Sequence, residues 1–126
     1  PVAGQTGEGT YAAMLAAKKF SVGVDADQCL TLPAYCGTLI TSAMKLIGAS
    51  VIAAVHASYA GEAGGKQITG TLANGGVGIA PYHTEDAAWK ATFGSLITSD
   101  IQKEVDDLKA AIIAGTVKVS DYFTSK

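Results

Sequence analysis

Apolar positions along the first half of the chain fall into short blocks set between glycines and acids. Phe20 to Val24 is one such block, too short for a stable helix, with Val-Gly-Val followed at once by Asp25 and Asp27. That pattern predicts a buried strand over 20–24 whose carboxyl end presents acids to a crevice, as the strands of α/β sheets do. Ahead of it, A-G-Q-T-G-E-G-T-Y at 3–11 is a glycine-rich turn that runs into the alanine-rich stretch 10–19. That stretch predicts a helix with Thr10 as its cap and no interior Gly or Pro. Leu39, Ala43, Leu46 and Ile47 follow a loose 3.6 period, so 39–58 is predicted to be a long helix, interrupted near Gly48, that packs on the sheet.

The second half is punctuated by glycine. Residues 61–65 form a predicted loop, 67–71 a short strand, and Asn74-Gly75-Gly76 a turn, because these residue types tolerate positive φ. Val77 to Ala80 is then a second short strand. Trp89 and Phe93, four apart, make a helical core pair. The clearest helix is 99–114: Ser99 and Asp100 can cap it, Ile101, Val105, Leu108 and Ile112 recur at helical spacing, and Gly115 stops it. Residues 116–119 complete the pattern as a last strand. Helices alternating with strands favour an α/β fold.

Composition narrows the classes of partner. The chain has 126 residues, 48% hydrophobic and 16% charged, which is one domain's worth of globular sequence. Nine lysines, no arginine and a formal net charge of −2 argue against nucleic acid, whose phosphates need a basic face. Lys45 and His56 break the longest apolar run before it reaches the roughly 18–20 residues of a membrane helix. Pro1 comes first and no charged segment precedes an apolar one, so any export signal has been removed or lies outside this segment. Only Pro1 and Val2 precede the glycine turn, where a βα unit would have a strand, as expected for part of a larger protein.

Candidate chemistry is sparse. Cys29 and Cys36 straddle Pro33, and two readings stand: a small disulfide loop in an oxidising compartment, or two semi-buried thiols. Zinc is not expected, since structural sites use about four Cys or His ligands and His56 and His83 lack ligand spacing. The turn bearing Gly4, Gly7 and Gly9 matches neither a P-loop nor a dinucleotide fingerprint. It is either a plain tight turn or a helix N-terminus whose N–H groups meet an anion or hydroxyl. Asp25 and Asp27 are ligand contacts or caps of the next turn, the cap being the stronger reading for Asp27. Lys45 is either a site residue or a surface lysine laid along apolar neighbours. His83 is read as a solvent-facing loop residue, with a hinge contact as the alternative.

Taken in order, G-Q-T-G-E-G, V-G-V-D-A-D-Q, T-S-A-M-K, G-G-V-G-I-A-P-Y-H and the closing A-I-I-A-G-T-V-K-V resemble the C-terminal portion of the basic membrane protein family, nucleoside-binding lipoproteins that serve ABC importers. The resemblance implies a type I periplasmic-binding-protein fold of two α/β lobes closing on a ligand. Residues 1–72 would be the C-terminal lobe without its first strand. Residues 73–126 would hold the crossover segment and a last helix and strand docked on an N-terminal lobe that is missing from the sequence. The resemblance also implies that Asp25 takes hydrogen bonds from ribose hydroxyls, that Lys45, on the T-S-A-M-K helix, balances it and donates to ring nitrogen or sugar oxygen, and that Gly7 and Gly9 face the sugar. Asp27 is carried along as the weakest of these ligand-binding candidates.

The implied function is extracytoplasmic capture of a purine nucleoside, or a related ribose-containing molecule, for an ABC permease, with the parent membrane-anchored through an upstream lipoprotein cysteine. No catalysis, metal or cofactor is expected. The family's base-stacking aromatic residues belong to the missing lobe, so a companion chain or self-association is expected. Cys29, Cys36 and the absence of arginine depart from the family pattern. Two alternatives remain: a nucleoside hydrolase or transferase using Asp25 and Asp27 as acid and base, or a ligand-free structural fragment. No nucleophile elbow, metal cluster or phosphate loop accompanies the two acids, which disfavours the enzyme.

Overall fold

The computed structural model describes residues 1–119 and divides the chain into two compact units, Pro1–Leu96 and a second that begins at Ile97. The first unit is a mixed α/β unit built on a three-stranded sheet of order β1-β2-β3. Its elements are a 3-10 turn at Gly4–Gly7, α1 (Glu8–Ala16), β1 (Ser21–Asp25), α2 (Gln28–Thr31), a 3-10 segment (Pro33–Thr38), β2 (Leu39–Lys45), α3 (Ile47–Tyr59), β3 (Val77–Ile79) and α4 (Ala87–Phe93). β1 and β2 run parallel, with a register irregularity between Ser21 and Gly23, and β3 pairs antiparallel on the other side of β2.

β1 forms where the Val-Gly-Val run predicts it. Gly23 is required there, because a Cβ at that position would overlap the Ser42 side chain of the neighbouring strand and press on Gln28. With that space open, Ser42 Oγ accepts the Gln28 N–H at 3.1 Å, and Gln28 Nε2 donates to Val24 O at 3.1 Å. The start of α2 is thereby tied to both parallel strands.

The core gathers on one side of β2. Tyr11, Cys29, Cys36, Leu39, Ala80, Trp89 and Phe93 are buried. Trp89 stacks near Phe93 at 5.4 Å and donates its indole N–H to Ile40 O at 3.0 Å, which docks α4 on the central strand. Phe20 meets Phe93 edge-on at 5.0 Å. Thr41 Oγ1 donates to Ala80 O at 2.8 Å and the Ala80 N–H to Ser42 O at 2.8 Å, so β3 is fastened beyond its three residues. Cys29 and Cys36 form a disulfide, with Cα atoms 4.4 Å apart, joining α2 to the 3-10 segment.

Several expectations need correction. The helix expected over 39–58 is two elements: Leu39–Lys45 is the central strand and only Ile47–Tyr59 is helical. Nor does that helix pack as expected, for α3 buries none of its residues and Ile47, Val51, Ile52 and Val55 stand exposed. Residues 67–71 form no strand, because Asn74 takes up their backbone groups: its Oδ1 accepts the Thr71 N–H at 2.8 Å and its Nδ2 donates to Thr69 O at 2.8 Å. The first helix starts at Glu8 behind Gly7, ahead of the Thr10 cap.

The second unit is dominated by α5 (Ser99–Ile113). Thr98, and neither Ser99 nor Asp100, is its N-cap, Oγ1 accepting the Ile101 N–H at 3.4 Å. Gly115 ends it at φ +74, with the Gly115 and Thr116 N–H groups returning to Ile112 O and Ala111 O. This is the paired closure of a glycine-terminated helix. The expected strand 116–119 is absent, since Thr116 and Val117 bond back to the helix end. Among the described residues no helix is long and apolar enough to cross a membrane.

Candidate functional site

Parallel pairing puts the carboxyl ends of β1 and β2 side by side, with Asp25 opposite Met44 and Lys45 one residue further. Lys45 Nζ lies 3.3 Å from Asp25 Oδ1, and both side chains remain more than half exposed. Lys45 therefore reaches Asp25 from a strand end, and the expectation that a helix carries it is wrong. The pair is open to solvent and offers acceptor and donor together.

Asp25 is also the strained point of the edge. Its φ is +69, and the Ala26 N–H donates across it to Val24 O at 2.9 Å, a three-residue turn of the rare positive-φ kind. A non-glycine residue there costs roughly 1 kcal/mol or more, least for Asp and Asn. Strain of this sort persists where the surroundings hold it, here the Gln28 bonds to Ser42 and Val24.

Asp27 goes elsewhere. It occupies the N-cap position of α2, yet its side chain makes no cap bond. Instead its two carboxylate oxygens lie 2.9 and 3.0 Å from His83 Nε2, with both side chains mostly buried. The cap reading of Asp27 and the solvent-facing reading of His83 are both corrected by this contact, which joins the β1 edge to the segment after β3. His83 is the residue that sequence reasoning underrated, and a partner 56 positions away leaves no local signal.

The glycines behave differently from one another. Gly7 is buried, with room for a Cβ only at 3.4 Å from Pro1, whereas Gly9 is exposed and faces open space. A cleft of about 320 Å³ is lined by Gly4, Gln5, Glu8, Gln28, Thr31 and Leu32. It joins the glycine turn to the D-A-D-Q segment. A second cleft of about 240 Å³ runs beside Lys45, between Ile47, Ile68 and Val77.

Two buried polar atoms have no hydrogen-bond partner among the described residues: Tyr11 Oη and Gln28 Oε1. Burial pushes the Tyr11 phenol above its ordinary value, because the charged form loses its hydration.

No protein-family model and no curated protein matches the chain. A solved structure described as an ABC transporter system solute-binding protein from Aeropyrum pernix K1 is similar to it, with a TM-score of 0.70 and 24% identity over 98% of this chain and 40% of that one. The chain thus spans less than half the length of this neighbour. At that identity the likeness concerns architecture, and over the portion it spans the chain has the α/β fold of a solute-binding protein.

Proposed function

We propose that the chain is part of an extracytoplasmic solute-binding protein of the basic membrane protein kind, which captures a nucleoside, a purine nucleoside first, and passes it to an ABC permease. The observation that carries this reading is Asp25, an exposed carboxylate on a strained turn at the shared carboxyl edge of two parallel strands, with Lys45 3.3 Å away. Two acceptor oxygens suit the vicinal hydroxyls of a ribose. Lys45 moderates the charge and supplies a donor to the ligand. The solute-binding neighbour supports the binding role, and the resemblance in V-G-V-D-A-D-Q supports the nucleoside.

In this reading residues 1–72 are the C-terminal lobe, and 73–126 supply the crossover and the parts that dock on the other lobe. Base-stacking aromatics come from that lobe or a companion chain. Exposed Val22, Val77 and Ile79 on the sheet and the bare apolar residues of α3 suit such company, because burying them against a partner would be favourable. Gly7 and Gly9 are weaker candidates than Asp25, and Asp27 acts through the fold. The parent is anchored by lipid on an upstream cysteine. No bond is made or broken, and the commitment of Asp27 to His83 removes the second carboxylate an acid/base pair would need.

Titration of the intact two-lobed protein with inosine and adenosine tests the reading. Binding is expected, and Asp25→Asn should weaken it roughly tenfold to a hundredfold, the value of one charge-assisted bond of about 1.5–3 kcal/mol. Unchanged affinity in that variant would remove Asp25 from the site. Release of free base during incubation would replace the binding reading by an enzymatic one.

A further inference from the structure

We propose that, once its disulfide is reduced, the chain holds a zinc ion between Cys29, Cys36 and Asp86. The ligand atoms of these three residues lie within 4.8 Å of one another, and the two cysteines are buried. They come from three separate elements: α2, the 3-10 segment and the residue that caps α4.

The carboxylate is held in place. Asp86 Oδ1 accepts the Trp89 N–H at 2.8 Å, the Asp86 N–H donates to His83 O at 2.9 Å, and Trp89 is locked by its indole bond to Ile40 O. Capping uses one oxygen, and no ion pair engages the other among the described residues. A helix cap alone explains the aspartate but not its position beside two sulfurs.

The donor set selects the metal. Two thiolates and one carboxylate suit zinc, a borderline-soft cation, and disfavour magnesium and calcium, which take oxygen ligands. Three protein donors leave a fourth tetrahedral position for water. Asp86 is partly exposed, which gives the ion a way in from solvent.

Oxidised, the sulfurs bind each other and cannot ligate. A thiol or phosphine reductant delivers two electrons, breaks the S–S bond and leaves two thiols, whose two protons depart when zinc binds. The sulfurs must then part to roughly 3.7 Å to satisfy zinc–sulfur distances of about 2.3 Å. Zinc occupancy is thus mutually exclusive with the disulfide.

The test is zinc titration of the full chain, oxidised and phosphine-reduced, against a chromophoric chelator. One zinc per reduced chain and none per oxidised chain are expected. Asp86→Asn, which keeps an oxygen for the cap, should weaken zinc roughly tenfold or more. Cadmium added to the unsubstituted reduced chain should show the thiolate charge-transfer absorption of two sulfurs, a readout independent of any variant. No zinc uptake by the reduced chain, a cadmium spectrum without thiolate bands, or unchanged affinity in Asp86→Asn would overturn the proposal.

Discussion

Two aspartates two residues apart lead opposite lives. Asp25 meets Lys45 in the open, both side chains more than half exposed, while Asp27 meets His83 with exposures of 14% and 16%. The positive-φ turn at Asp25, closed by the Ala26 N–H on Val24 O, breaks the extended run between them and sends one to the sheet edge and the other inward. The exposed pair is held weakly and left available to a ligand. The buried one is spent on joining the β1 edge to the segment after β3. A motif with two acids therefore divides between an open strand edge and the architecture.

The largest expected effect breaks the buried pair. Asp27→Ala should cost about 3 kcal/mol in denaturant unfolding, since it strands a mostly buried imidazole that had a charged partner. A loss as small as that of Asp25→Ala would erase the distinction between the pairs. Gly23→Ala comes next, at about 2 kcal/mol, because its Cβ would overlap Ser42 and loosen the support under both aspartates.

At the exposed pair the backbone matters more than the charge. Asp25→Gly should unfold at higher denaturant than Asp25→Ala, by about 1 kcal/mol, as only glycine is at ease at φ +69. A double-mutant cycle over Asp25 and Lys45 should give a coupling of about 0.5 kcal/mol, reduced further by salt.

Tyr11 offers the finest contrast, a buried polar group with no partner among the described residues. Its raised pKa means that the folded chain holds the phenol proton more tightly than the unfolded chain. Stability should therefore be intact below about pH 10 and fall as pH rises past it, a slope that Tyr11→Phe removes.

Local signals carried much of this architecture. The β1 run, the Asn74–Gly76 turn with Gly75 at φ +69, the Trp89–Phe93 pair and the Gly115 stop are all legible because each depends on residues close in sequence. β2 was not, since Leu39, Ala43 and Leu46 also fit a helical period, and a central strand covered on both edges need not alternate. In the candidate site, Asp25 could be singled out from its place after an apolar run, and Lys45 from the family resemblance. The Asp27–His83 bond, and Asp86 beside the two cysteines, could not, because both are made by distant segments meeting.

The contrast between β2 and α3 also has a temporal side. β2 shares backbone bonds with a strand on each side, whereas α3 keeps no side chain buried and has little to hold it once a turn frays. In deuterated solvent the amides of α3 should therefore exchange through local opening, long before those of Ser42 and Ala43, and the binding of any partner to α3 would be read directly as a slowing of that exchange.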